Sequence, residues 1–268
     1  MKLVAMVRAP LRADEATAAF AAASGLTLAE SRMRLAPEPP ALLARLEAGP
    51  AEALVASLRK AGLAALAVDA DVPTDADRTV ALRVAFDPQG VTFTPRSGEA
   101  MSLAWSDVLA VLRGSRESSL EAEHRERSKT LSLGMAVATG GLVLTRTSTR
   151  TVHSSDTSFQ QVILVYARDG RAAALVEGQV DFSCLGPELQ PASTANMATL
   201  GRRLRERATG AFFDDALLRL GRRPLPFVAG NEARSATSSS VVVRRNTAAS
   251  LDVLAEVLRQ AVSQGLLP

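Results

Sequence analysis

The sequence predicts an α+β protein: a small split β-α-α-β domain at residues 1–70, a mostly antiparallel β-barrel with a long hairpin insertion at 78–220, and C-terminal helices. Three observations carry this. Residues 1–70 mix apolar strand-like runs with helical spacing and Pro/Gly stops. Residues 80–113 break into short β-rich runs between turn residues, the spacing of a small antiparallel barrel. Near the C-terminus, Leu251, Leu254, Val257, Leu258 and Val262 recur at i, i+3, i+4 spacing, the pattern of an amphipathic helix over 248–265.

The elements follow in order. Residues 2–8 are a short apolar strand, ended by Pro10. Residues 13–23 read as a helix with Asp14 and Glu15 in its first turn, where negative charge suits the dipole. Gly25 interrupts it, and residues 27–35 form a second helix stopped by Pro37, Pro39 and Pro40. Pro50 in a first turn starts a helix over 51–61, Gly62 caps it, and 63–68 is a strand. The stretch DADVPTDAD at 69–77 is acidic and turn-rich and reads as a linker.

The β region then begins. Strands at 80–86 and 91–95 flank a turn at 87–90, and 101–105 leads through Ser106 and Asp107 into 108–113. SRESSLEAEHRERSK at 115–129 reads as an exposed loop or loose helix. A long β-hairpin is expected over 130–152 around Gly140 and Gly141, followed by a polar turn at 153–157. QVILVYAR at 161–168 is the clearest strand, and Asp169-Gly170 is a two-residue turn of the I′ kind before 171–176. Residues 193–207 read as a helix with Ser193 as N-cap and Met197, Leu200 and Leu204 on one face, and 212–220 as more helix. Residues 222–240, rich in Pro, Ala and Ser, are expected to be flexible, so 221–268 is a tether plus helix.

Segment 24–68, SGLTLAESRMRLAPEPPALLARLEAGPAEALVASLRKAGLAALAV, resembles the C-terminal domain of the bacterial ribosomal stalk protein. It shares the Gly-Leu-x-Leu helix start, the Pro-rich break, the second helix, and Ala-Gly before an apolar strand. Thr27 stands where a second glycine is usual, and Ala29 and Arg32 where lysines are usual; in the family those lysines help dock translational GTPases. The middle region resembles a pleckstrin-homology-like barrel in its order of strands and closing helix. Both resemblances imply modules that bind protein or lipid surfaces.

Composition narrows the function. A hydrophobic fraction of 47% and a charged fraction of 22% exclude disorder throughout. Net charge is only +3, from 31 Lys+Arg and 28 Asp+Glu, and the excess of Arg over Lys is most simply GC-rich codon usage. Sequence-neutral DNA binding needs a dense cationic face, and single-strand binding needs aromatic platforms, against 4% aromatics here. One cysteine, Cys184, allows neither an internal disulfide nor a Cys-based zinc site. The start lacks a signal-peptide pattern. The longest apolar run, 131–144, has 14 residues, whereas a span takes about 20, so no transmembrane segment is expected and the protein reads as cytoplasmic.

Chemistry-bearing residues are sparse. No phosphate-binding glycine motif occurs, and Gly134, Gly140 and Gly141 read as turns. His124 and His153 have no partner at metalloprotease spacing, so no metal is expected. Cys184 reads as a small buried residue at a strand end, and Asp214-Asp215 as a helix start. The Ser/Thr-rich stretches at 147–158 and 233–240 read as solvated hairpin and linker. No cofactor is expected.

The reading is therefore a non-enzymatic protein-interaction protein, an adaptor or scaffold. One docking face is expected on helices 25–35 and 51–61, with Gly25, Leu26 and Arg32 in it. The open edge of hairpin 130–152 is a second, and a route to homo-oligomers. The first alternative is a ribosome- or nucleic-acid-associated protein binding through Arg202, Arg203, Arg205 and Arg207, with salt-sensitive affinity. The second is an anionic-lipid-binding module. An enzyme built on Cys184 or Asp215 with a histidine is a further reading.

Overall fold

In the computed structural model, which describes residues 1–131, 145–229, 232–236 and 240–268, β1 (Lys2–Met6) is the middle strand of a three-stranded sheet. β2 (Ala41–Leu46) and β3 (Ala65–Asp69) flank it, both antiparallel. Helices α1 (Ala13–Ser24), α2 (Leu28–Leu35) and α3 (Ala48–Lys60) fill the connections. The N-terminal pattern is thus β-α-α-β-α-β. The strand β2 is an addition to the expected β-α-α-β order: ALLARL is short, and the prolines before it mask its start.

Strand alternation divides this sheet's faces. Val4 and Met6 join Ala16, Phe20, Leu54 and Leu58 of α1 and α3 in one core. Leu3, Ala5 and Val7 turn the other way, onto Val253, Val257 and Ala261. Those three residues belong to the last helix of the chain, described below.

The larger sheet contains β4 (Thr79–Phe86), β5 (Gly90–Pro95), β6 (Met101–Ala104), β7 (Val108–Leu131), β8 (Thr145–Ala167) and β9 (Ala172–Val176). Their order is β7-β8-β9-β4-β5-β6, and β10 (Phe212–Asp214) lies parallel to β7. Strands β4 and β9 pair in parallel only at Thr79 and Val80. The fold is α+β as expected, but no pairing joins β6 to β10 among the described residues, so the expected barrel is not closed. Helices cover both faces of the sheet, so closure would bury little more. On one face Ile163, Val165 and Leu175 meet Met197, Leu200 and Leu204 of α4 (Ser193–Arg207). On the other, Val162, Leu164 and Tyr166 meet α5 (Leu217–Leu220) and α6 (Ala248–Ser263).

Helix α6 is the keystone. Leu251, Leu254, Ala255 and Leu258 face the large sheet, while Val253, Val257 and Ala261 face the small one. Ten of its 16 residues are buried. The sequence predicts one apolar stripe; the helix has two, and it packs home within the core. Leu225, Phe227 and Val228, in the stretch expected to be flexible, pack against the same cluster.

Other elements differ locally from expectation. The charged run at 115–129 is strand, part of β7, and the polar turn expected at 153–157 is part of β8. Long-range pairing outweighs the weak local propensity of both. Residues 132–144 of the hairpin expected at 130–152 lie outside the described residues. The segment expected to be helical at 212–220 splits into β10 and the short α5. Ser193 is the first residue of α4, not its cap; Ala192 holds that place. Asp169 has no positive φ, so the turn after β8 is not type I′; Asp169 Oδ1 accepts from the Arg171 N–H at 3.0 Å instead.

The chain forms two compact units. One comprises Met1–Glu117, Phe159–Asn231 and Thr247–Pro268, and contains the four apolar clusters described above. The other comprises Ser118–Ser158 and Glu232–Asn246. In this second unit β11 (Glu232–Ala236) pairs antiparallel with β12 (Ser240–Asn246), which pairs antiparallel with residues 118–124 of β7.

Candidate functional site

The α1–α2 corner is built by local rules. Gly25 takes the left-handed conformation, φ 71°, and its N–H donates to Ala21 O at 3.0 Å, closing α1. Thr27 and Glu30 then form a capping box. The Thr27 N–H and hydroxyl donate to Glu30 Oε2 at 2.9 and 2.7 Å, and the Glu30 N–H donates to Thr27 Oγ1 at 3.3 Å. The Thr27 bonds hold the Glu30 carboxyl below the usual glutamate range.

Helix α2 carries its residues in an unusual sense. Ser31 is its one buried residue, and the Ser31 hydroxyl has no partner among the described residues. Leu28 and Met33 are 62% and 75% exposed, and Leu11, just before α1, is fully exposed. Leu26 and Leu35 pack partly against the α1–α3 core. Arg32 pairs with Asp14 at 3.1 Å, with both side chains in solvent. Such a pair contributes little to stability.

The arginines of α4 are engaged within the protein. Arg202 pairs with Glu188 at 2.8 Å and Glu206 at 3.4 Å. Arg203 donates to the carbonyls of Cys184 and Leu185 at 2.8 and 2.9 Å and pairs with Glu188. The Arg205 guanidinium stacks 4.8 Å from the Phe213 ring centroid, and Arg207 reaches the Asp87 carbonyl at 3.5 Å. These four side chains do not converge on one site: Arg202 and Arg203 share Glu188, while Arg205 and Arg207 lean on Phe213 and the Asp87 carbonyl.

The most desolvated charges were not marked by sequence reasoning. Arg78, with a side chain 1% exposed, donates to Asp252 Oδ1 at 2.5 Å and to the Pro73 carbonyl at 2.6 Å. Asp75 lies 3.6 Å from Arg78 and 2.8 Å from Arg116. One turn along α6, buried Glu256 binds Arg259 and Gln260. Burial pushes the Asp252 carboxyl up, and Arg78 pulls it partly back. The available signal was two acids four residues apart, Asp252 and Glu256, inside LDVLAEVL.

Beside Arg78 opens a cleft of about 660 Å³, walled by Thr79–Leu82 of β4, by Pro95, Arg96, Ser97 and Glu99 at the end of β5 and in its turn, and by Gly178 and Gln179. Its volume falls in the range of small-ligand sites.

The other candidates are quiet. Cys184 is half-buried in a turn between β9 and α4, not at a strand end, and burial raises its thiol pKa. Asp214 is raised by burial, and its Oδ1 accepts from the Ala216 N–H at 3.0 Å. The side chains of His124 and His153 lie outside the described residues. Among the described residues no His/Cys/Asp/Glu group could hold a metal ion, and no helix is long and apolar enough to cross a membrane. Comparison with known protein families, curated proteins and solved structures gives no match.

Proposed function

We propose that this protein is a non-enzymatic interaction protein, an adaptor or scaffold, that docks a protein partner on the α1–α2 corner. The observation that carries the reading is the reversed burial of α2: a serine is inside, and Leu28 and Met33 stand in solvent. Large apolar side chains held outward on a capped helix gain free energy when a partner removes them from water. In this reading Gly25 and the capping box set the angle of the face, Leu26 anchors it, and Arg32 lies on its rim. The stalk-domain-like and pleckstrin-homology-like resemblances belong to the same reading, as does self-association through the 130–152 hairpin. A cytoplasmic location is consistent with it.

The nucleic-acid and anionic-lipid alternatives would use Arg202, Arg203, Arg205 and Arg207. Each of these already has an internal partner, so a phosphate would have to replace existing contacts. The apolar face ranks above them for that reason.

The test is retention from native lysate by the tagged full chain and by a Leu28→Asp/Met33→Asp double variant, washed at low and high salt. A protein held through high salt by the parent and lost by the variant supports docking on α2. Retention of nucleic acid or ribosomes that collapses at high salt and is unaffected by the double variant sinks it in favour of the arginines.

A further inference from the structure

The cleft beside β4 is a second feature that the docking face does not use. Two charges line it at the β5–β6 turn, Arg96 and Glu99, both exposed. They stand three residues apart across Gly98, which takes φ 97°. Neither makes an ion pair or a side-chain hydrogen bond among the described residues, with each other or with anything else. That contrasts with α4, where opposite charges at similar spacing close on one another, as Arg202 does on Glu206.

Part of the cleft's lining is tied into the fold. Arg78, buried and held by Asp252 and Pro73, lines it, and its Nε has no partner among the described residues. Strand β4 begins there too. Thr79 and Val80 pair with β9 on one side, but pairing with β5 starts only at Ala81. The cleft is therefore lined by a cation and an anion that are uncommitted among the described residues, beside a stretch of β4 that pairs with β9 alone there.

We infer that this cleft binds a small zwitterion bearing a free carboxylate and a free ammonium group, an α-amino acid or a short peptide. Arg96 receives the carboxylate, in the fork geometry that guanidinium groups provide. Glu99 receives the ammonium. A polyanion is a poorer fit, because Glu99 repels it at the same mouth. The volume leaves room for a side chain or for further residues, and the open edge at Thr79 and Val80 can take the backbone of an extended peptide.

The experiment is calorimetric titration of the full chain with glycine, L-leucine, triglycine and trialanine, against acetate, ethylamine, N-acetylated and C-amidated trialanine, and inorganic phosphate. Saturable binding of a zwitterion is expected, with about tenfold loss on blocking either end and about tenfold loss in Arg96→Ala or Glu99→Gln. Tighter binding of tripeptides than of amino acids assigns a peptide; the reverse assigns a free amino acid. The inference is overturned if phosphate or acetate binds as well as the zwitterions. It is equally overturned if the variants bind like the parent, or if nothing saturates by about 10 mM. Unchanged unfolding curves for both variants, which alter exposed turn residues, exclude misfolding as the cause of a loss. Leu28 and Met33 take no part, so the fate of the docking face is read separately.

Discussion

Arg78 and Asp252, 174 residues apart in sequence, meet at 2.5 Å between the start of β4 and the buried face of α6. The pair fixes the keystone helix to the segment that leaves the small sheet. A buried ion pair adds little net stability, but breaking one side leaves an uncompensated charge. Arg78→Met is expected to cost about 3–5 kcal/mol at neutral pH. The Asp252 carboxyl, already raised by burial, rises further without the guanidinium. The folded variant then holds a proton that the unfolded chain releases, so its stability falls as pH climbs from the ordinary aspartate value through the raised one. Urea unfolding at neutral and mildly acidic pH checks this. The deficit should shrink in acid, and Arg78→Met/Asp252→Asn should recover much of it.

The capping box that opens α2 makes a second, more local prediction. Thr27→Ala removes the acceptor for the Glu30 N–H and is expected to cost about 1 kcal/mol. The Glu30 carboxyl lies below its ordinary value because of its bonds from Thr27. Its stabilising contribution is therefore complete above the unfolded glutamate pKa and disappears as pH falls through the lowered folded value. Carboxyl titration by NMR should show Glu30 moving up toward the ordinary range in the variant. No movement would mean that the box does not form in solution.

Cys184 bears on the enzyme reading. Burial raises its pKa, with Arg203 opposing and Asp181 assisting, so at neutral pH the group is a thiol and not a nucleophilic thiolate. Alkylation of the folded chain by iodoacetamide should be slower than that of the urea-unfolded chain, and should speed up only as pH approaches the raised pKa. Rapid labelling at neutral pH in the folded state would contradict the burial and reopen a nucleophilic role for the sulfur.

Apolar runs between turn residues and helical spacing made several elements legible: β1, β4, β5, the 161–167 part of β8, and helices α1, α2 and α4. Strand β2 was hidden because six residues after a proline cluster carry little pattern of their own. The 115–129 part of β7 was misread because a strand with polar residues on both faces has no hydrophobic alternation, and cross-strand pairing with β12 holds part of it. Helix α6 was found, but its second apolar stripe was not, since an amphipathic reading looks for one face only. The candidate site divides in the same way. Gly25 and the Thr27 start are local signals and could be read. The Arg78–Asp252 pair and the cleft between β4, the β5–β6 turn and Gly178–Gln179 bring distant segments together; the acids Asp252 and Glu256 are a local signal, but they do not name Arg78 or the cleft.

Tyr166 offers the strictest test of the buried cluster. It packs on the α6 side of β8, 2% exposed, and its hydroxyl has no hydrogen-bond partner among the described residues. The Arg78 guanidinium carbon lies 6.0 Å from its ring centroid. Burial, opposed by Arg78 and assisted by Glu256 and Asp252, pushes the phenol from 10.0 up to about 12. An orphaned buried hydroxyl carries its desolvation cost without a compensating bond. Tyr166→Phe keeps the ring and removes the cost, so it is expected to stabilise the protein by about 1 kcal/mol. The alkaline limb gives an independent readout. The unfolded tyrosine ionises first, so the parent loses stability as pH rises from 10.0 toward about 12, and that part of the loss should be missing in the variant. A Tyr166→Phe protein that is instead less stable by about 1 kcal/mol would show that the hydroxyl is hydrogen-bonded in solution.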